Sequence, residues 1–548
     1  LGSAATTLTM VDTASNFTLA SGKSITNASG GDATLTIKTP SSIVLSSGSS
    51  ISSSTGKLNT ILWADTDGNN DGRIGVVGTS GNTSKITTNG GHLWMGGGSG
   101  TSTWNGLTVG DAYAAGTLGS PNYAGVMIHY AEVKTGFGDI WLKGETTRLN
   151  TTELGILVYN SAVIETTSGN MRFDGRTATG AASAAQYGMY VGFGSNLKTT
   201  DGAIDITTTV RATTNSSTSY GIYFSGGSIT GGSGAVTVNA SGGTGGSAYG
   251  VYQSGGSIST TSGDISLTGS GSTRGIYQSS GTITAGGGSN LTLTADTVSL
   301  GGTLSGTGNL LVQPKTAGTT IGIAGGTGTL QLTAGNFSTN FANGFSSITV
   351  GNAAAGNIIL GDGTAVVNVN YNDPLTLKTA GNITLNSDAS LNGAAAGADG
   401  IKSSLVLWAD ADNSGQGFIS LGAGSGITTN GGKIILAGGL DDGGGNAGLS
   451  GLTAGDGIPD GYAKTTAAAS SAGVLIGQPG GGGSSVNLLS GGGEIVVRGQ
   501  GLTSDGLGIT SQGTFRIDSG AGSITMLGKS AAGHGVEFGF GATPNWAI

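Results

Sequence analysis

Apolar and polar residues alternate along this chain in short runs separated by glycine-containing turns. Asp139-Ile-Trp-Leu-Lys, Met171-Arg-Phe-Asp, Ala203-Ile-Asp-Ile-Thr, Ala235-Val-Thr-Val-Asn and Asp264-Ile-Ser-Leu-Thr each place Ile, Leu, Val or Phe at every second position. So do Asn290-Leu-Thr-Leu-Thr, Glu494-Ile-Val-Val-Arg, Phe515-Arg-Ile-Asp and Ser523-Ile-Thr-Met-Leu. A period of two predicts strands with one apolar and one polar face. Turns such as Thr167-Ser-Gly, Thr200-Asp-Gly and Thr261-Ser-Gly divide them. No amphipathic helix of useful length is predicted, and the Ala-rich pieces near Ala181 and Ala467 lack an apolar stripe.

A glycine-started phrase recurs through the middle of the chain. It reads Gly155-Ile-Leu-Val-Tyr, Gly188-Met-Tyr-Val, Gly221-Ile-Tyr-Phe, Gly250-Val-Tyr-Gln and Gly275-Ile-Tyr-Gln, at spacings of 33, 33, 29 and 25 residues. A strand-and-turn repeat of this length predicts a solenoid. A strand of four to six residues cannot bury its apolar face alone. Stacking each repeat on the last gives it parallel neighbours on both sides. The expected fold is all-β, a right-handed parallel β-helix with loop insertions. At about 28 residues per coil the chain makes about twenty coils, a rod of roughly 95 Å at one strand spacing each.

A longer repeat is superimposed. Ile61-Leu-Trp-Ala-Asp-Thr-Asp returns as Val406-Leu-Trp-Ala-Asp-Ala-Asp, and Ile86-Thr-Thr-Asn-Gly-Gly as Ile427-Thr-Thr-Asn-Gly-Gly. The offsets, 345 and 341, show that the second copy has lost four residues between them. Leu35-Thr-Ile-Lys-Thr and Leu375-Thr-Leu-Lys-Thr extend the match. The expected organisation is the end of a module over 1–58, a full module over 59–403 and a partial module over 404–548. Insertions at 96–124 and 441–472 are expected to project as loops. The chain opens in mid-pattern on Leu1-Gly-Ser-Ala without an initiator Met, which reads as a piece of something longer. Neither Leu8-Thr-Met-Val nor the closing Trp546-Ala-Ile548 reads as a charged cap. At least one end is therefore expected to be covered by more chain or by another copy.

Composition narrows the functional classes. Glycine is 111 of 548 residues and charged residues 9%, while hydrophobic residues reach 36% in ordered alternation. This is unlike a disordered linker, which carries little apolar content. The net charge is -9 with no cluster of Lys or Arg, so nucleic acid is not an expected partner. The apolar runs are too short to cross a bilayer as helices. Cysteine is absent, which removes disulfide and thiolate chemistry.

The repeated Leu-Trp-Ala-Asp-x-Asp and Ile-Thr-Thr-Asn-Gly-Gly phrases carry a resemblance, together with the stretch from Leu310 to Leu377. That stretch holds Leu310-Leu-Val-Gln-Pro-Lys-Thr-Ala-Gly-Thr-Thr-Ile-Gly, Phe345-Ser-Ser-Ile-Thr-Val-Gly and Asn372-Asp-Pro-Leu-Thr-Leu. They resemble modules of the filamentous-haemagglutinin-like large exoproteins of Gram-negative bacteria. The resemblance implies a right-handed parallel β-helix, two-partner secretion and an adhesin or surface-fibre role. The family's secretion domain, with its Asn-Pro-Asn motifs, is not in this sequence. The expected function is a non-enzymatic, extracellular, cell-surface repetitive protein. Its expected partners are a host or neighbouring-cell surface, with glycans, and other copies end to end. A self-assembling filament subunit and a carbohydrate-active β-helix enzyme are the rival classes.

Several residues are candidates for chemistry. Asp67-Gly-Asn-Asn-Asp71-Gly-Arg-Ile74 matches the opening of an EF-hand-type calcium loop, and Asp65 adds a carboxylate. Oxygen ligands at alternate positions with a bend-forming Gly suit a hard cation. Asp65, Asp67, Asn69 and Asp71 are thus the candidate Ca2+ ligands. Gly78 stands where the twelfth-position Glu belongs, and the competing reading is an Asx-rich turn. The second copy reads Asp410, Asp412, Ser414, Gln416, with one carboxylate fewer. Asp441-Asp442 with Gly533-His534-Gly535 resembles fragments of pectin-degrading β-helix enzymes, where paired carboxylates cleave a glycosidic bond. The accompanying Asn-Thr-Asp and Arg-Ile-Lys phrases are missing, so no catalytic residue is assigned. His92 and His129 are expected to be structural or solvent-facing. Tyr190, Tyr223, Tyr252 and Tyr277 each lie two residues after the phrase's glycine, whereas Tyr159 is out of register by two. They predict an aromatic ladder, either packed or open to stack sugars.

Overall fold

The computed structural model describes residues 6–13, 15–28, 30–116, 123–147, 152–182, 184–215, 218–395, 400–443, 453–465, 472–477, 485–501, 507–512, 515–530, 535–538 and 546–547. The chain is all-β with long parallel sheets, and the one helical element among these residues is a π-type turn, Asn336–Asn340. Two compact units divide it. Unit 1 holds Leu1–Ser289 with Ser299–Gly302, and unit 2 holds Asn290–Val298 with Thr303–Ile548. The division falls inside the sequence module 59–403.

Unit 1 is a succession of tiers, most giving one strand in turn to each of three parallel stacks; in the last two, a single long strand, Ser247–Thr260 or Arg274–Ala285, serves two stacks. One such tier is Ile140–Thr146, Glu153–Tyr159 and Val163–Thr166; the next is Met171–Arg176, Gln186–Gly192 and Asn196–Lys198. Each strand pairs in register with its counterpart in the next tier. The alternation explains the register, because a one-residue slip would turn every apolar side chain outward. Ile37, Leu62, Met95, Leu142, Phe173, Ile206, Val238 and Leu267 are register partners, each with the next. All are fully buried. Unit 2 repeats the design with Leu293, Val312, Val350, Leu377, Leu407, Leu436 and Val497, again fully buried.

The phrase's glycine has a specific cause. A Cβ on Gly221 would lie 2.6 Å from the Gly250 carbonyl oxygen of the next tier and 2.7 Å from the Ser241 nitrogen. Only a bare Cα fits where one tier's backbone approaches the next so closely. The buried corners are closed by hydroxyls. Thr135 donates to Gly138 O at 2.5 Å, Thr166 to Gly169 O at 2.6 Å and Thr429 to Gly432 O at 2.6 Å.

The first insertion does not simply project. Leu93–Trp104 and Leu107–Ala112 pair antiparallel and lie back on the sheet, placing Trp104, Leu107 and Val109 against Ile61, Trp63 and Trp94. Apolar side chains on the insertion and on the outward sheet face remove each other from water. The Trp63 indole N–H donates to Gly98 O at 2.7 Å, and the Lys38 ammonium sits 4.0 Å from the Trp63 ring centroid. The second copy repeats this device: Trp408 donates to Gly439 O at 2.7 Å, and Lys378 lies 3.5 Å from the Trp408 ring. The repeated Leu-Trp-Ala-Asp and Leu-Thr-x-Lys-Thr phrases thus encode one tertiary arrangement twice. Residues 117–122, 444–452 and 466–471 of the two insertions lie outside the described residues.

The four residues lost from the second copy are also located. Ile74–Val77 corresponds to Ile419–Leu421 at offset 345, and Ser84–Thr87 to Gly426–Thr428 at offset 341. Between them the first copy makes a small excursion, in which Thr79 and Asn82 exchange backbone hydrogen bonds of 3.1 and 3.0 Å.

Candidate functional site

The acidic loop follows Leu58–Trp63 and leads into Ile74–Val77. Asp65 adopts a positive φ of 50°, a conformation Asp tolerates better than most residues. It is 2% exposed. Its Oδ1 accepts the Asn70 N–H at 2.9 Å, and its carbonyl accepts the Gly98 N–H at 3.1 Å from the hairpin. The carboxylates of Asp65, Asp67 and Asp71 converge, with ligand oxygens within 4.8 Å of one another. Burial pushes the Asp65 carboxyl up to about 6; the amides of Asn70 and Asp71 oppose this, and the charges of Asp67 and Asp71 add to it. Asn69 turns inward to the loop itself. Its Oδ1 accepts the Asp71 N–H at 3.1 Å and its Nδ2 donates to Asp67 Oδ2 at 2.9 Å. The three carboxylates among the four predicted ligands therefore meet, and the Asn69 amide lies against one of them, Asp67. The donor chemistry suits a hard cation.

The second copy keeps the turn and changes the charges. Asp410 also has φ 50° and is fully buried, and its Oδ1 accepts the Gly415 N–H at 2.8 Å. Here the Lys464 ammonium lies 3.3 Å from Asp410 Oδ2 and donates to Asn413 Oδ1 at 2.6 Å. Lys464 is held by its own amide, which donates to Gly417 O at 2.7 Å. In the first copy the matching amide is that of Ala115, donating to Gly72 O at 2.7 Å. So the second loop has a tethered ammonium where the first has a methyl group. Gln416 likewise stands where the first loop has Asp71. Sequence reading missed Lys464, because 54 residues of chain separate it from Asp410.

The tyrosine ladder forms, and it is double. Tyr190, Tyr223, Tyr252 and Tyr277 are register partners with ring centroids 4.8–5.1 Å apart. A second column, Tyr187, Tyr220 and Tyr249, precedes the phrase's glycine, at 4.9 and 5.6 Å. The glycine between the columns interrupts the alternation, so residues three apart share the outer face. Such a break is what a strict period-two reading overlooks. Tyr159 pairs with His129 rather than joining a column, and its ring stacks with that imidazole within 9°. The column tyrosines are half-buried. Burial, followed by neighbouring phenols, raises Tyr187 above the usual phenol range.

The remaining candidates have structural employment. The His92 Nδ1 accepts the Asp139 N–H at 3.0 Å, and its ring meets Trp104 edge-on. His129 Nε2 lies 3.0 Å from Asn160 Nδ2. Asp441 accepts the amides of Gly455 and Gly457 at 2.7 and 2.8 Å, closing its own loop. His534 lies outside the described residues. No family model matches the chain, and no curated protein or solved structure matches it.

Proposed function

We propose that this chain is a stretch of a non-enzymatic, repetitive protein of the cell surface, an adhesin rod or fibre component. Its tiers follow one another as coils of a right-handed parallel β-helix. The observation that carries the reading is the register. Within each unit, strand after strand returns to the same stack, with an apolar residue buried above its apolar counterpart. An architecture in which each tier needs only its neighbours suits an extended scaffold better than a single cleft. The resemblance of the repeated phrases to filamentous-haemagglutinin-like exoproteins supports the same class. It brings the expected partners: a host or neighbouring-cell surface with its glycans, and further copies end to end. The enzyme reading is weakened because Asp441 is committed to backbone amides.

Within this reading the loop of Asp65, Asp67, Asn69 and Asp71 is the place of a calcium ion. Support comes from the second copy, where an ammonium neutralises the equivalent buried carboxylate.

The test is location. Antibodies against the purified chain should label intact producing cells by immunogold, and brief protease treatment of those cells should remove the label. Labelling that appears only after lysis would refute the surface role.

A further inference from the structure

The tyrosine columns end abruptly at their lower rung. Tyr187 and Tyr190 have rings above them but leucines below, since their register partners in the preceding tier are Leu154 and Leu157. Replacing two rings by two smaller side chains leaves a notch of about 140 Å³, lined by Thr152, Leu154, Leu157, Tyr159, Tyr187 and Tyr190. An apolar cavity of about 150 Å³ accommodates one six-membered ring. The walls are chemically mixed. Leu154 and Leu157 form an apolar floor, 5% and 2% exposed. Tyr187 and Tyr190, their planes within 17°, present aromatic surface, and Tyr159 stands across from Tyr190 at 62°. Thr152 and the three phenols supply hydroxyls, and among the described residues no charged side chain lines the space.

We infer that this notch binds one ring of a neutral hexopyranose, its apolar face against the Tyr187–Tyr190 surface and its hydroxyls toward Thr152 and the phenols. A ligand ring there continues a stack that the chain itself leaves one rung short. Amphipathic rings with a hydroxyl suit a partner that is apolar on one face and wet at its edge. The described lining holds no cation, which disfavours acidic sugars, whose carboxylate would lose hydration against it. The inference deepens the surface-protein reading, from which it takes only the ligand class. A chain that labels on cells yet binds no sugar would defeat this inference alone.

Saturation-transfer NMR on the whole chain tests it, with methyl glucoside and cellotetraose as neutral probes, glucuronate as the acidic arm and phenol as the aromatic arm. The neutral sugars should bind in the range of about 1 mM, and glucuronate more weakly. Tyr187→Ala should weaken the neutral sugars by about tenfold or more. Leu154→Phe, which fills the notch without removing a wall, should do the same. Tyr252→Ala, two tiers above, should leave binding unchanged. Absence of saturation transfer from either neutral sugar would overturn the site, as would unchanged binding in both notch variants. Phenol binding about tenfold tighter than the sugars, or preference for glucuronate, would overturn the ligand class.

Discussion

Gly221→Ala puts the close approach between tiers to a direct test. The added Cβ would lie 2.6 Å from the Gly250 carbonyl oxygen and 2.7 Å from the Ser241 nitrogen. Both are backbone atoms, so no side chain can rotate away, and relief to an ordinary contact needs a shift of several tenths of an ångström. The two opposing atoms belong to different strands, and moving either strains hydrogen bonds to a further tier. Overpacking a close-fitted interior costs about 1–3 kcal/mol, and the rigidity here argues for the upper half of that range. For a unit of this size that corresponds to a fall of about 3–5 °C in melting temperature. Urea and thermal unfolding followed by far-ultraviolet circular dichroism would read it. The urea midpoint should fall without a change in slope. Gly335→Ala is the matched control, since the nearest atom to its added Cβ is Thr333 Oγ1 at 3.6 Å. Equal stability of Gly221→Ala and wild type would refute the account of why the phrase begins with glycine.

Four further outcomes are expected. Phe173→Ala, at a fully buried column position, should cost about 3–5 kcal/mol by urea titration, and a loss under 1 kcal/mol would contradict the packing. Asp65 carries a carboxyl pushed up to about 6, so folding favours its neutral form. Its stabilising contribution is complete below the unfolded pKa near 4 and disappears as pH rises through about 6. Asp65→Asn should therefore flatten the decline in urea midpoint between pH 4 and 7, and an unchanged profile would rule this out. Millimolar calcium at pH 7.5 should raise the midpoint of wild type but not of Asp65→Asn. Glu145, nearly buried between Arg176 and Arg211, should on change to Ala cost about 2–3 kcal/mol, and an effect within about 0.5 kcal/mol would show that the guanidiniums are solvated well enough alone.

Much of the strand pattern was legible because burial imposes it on the sequence. The alternating runs Met171-Arg-Phe-Asp and Ala203-Ile-Asp-Ile-Thr lie in adjacent strands whose apolar residues stack as read. The long-range parts were not legible. Nothing local indicates that Trp104 folds back over Trp141, or that Lys464 reaches Asp410. The second tyrosine column escaped because it depends on a glycine that resets which residues face outward. Asn69 was legible as a spacing, but not that its side-chain oxygen accepts the Asp71 N–H of its own turn.

The small excursion at Thr79–Asn82 has a practical consequence. Two copies of the module, one with these four residues and one without, reach the same next strand with its isoleucine equally buried, Ile86 in one and Ile427 in the other. The scaffold is therefore indifferent to what is carried at this point. A foreign peptide spliced between the exposed Ser80 and Gly81 would be presented outward at a defined tier, and an array of modules would display it at regular intervals. Length variation in this chain is a property of its turns, and its turns are where new cargo can be written in.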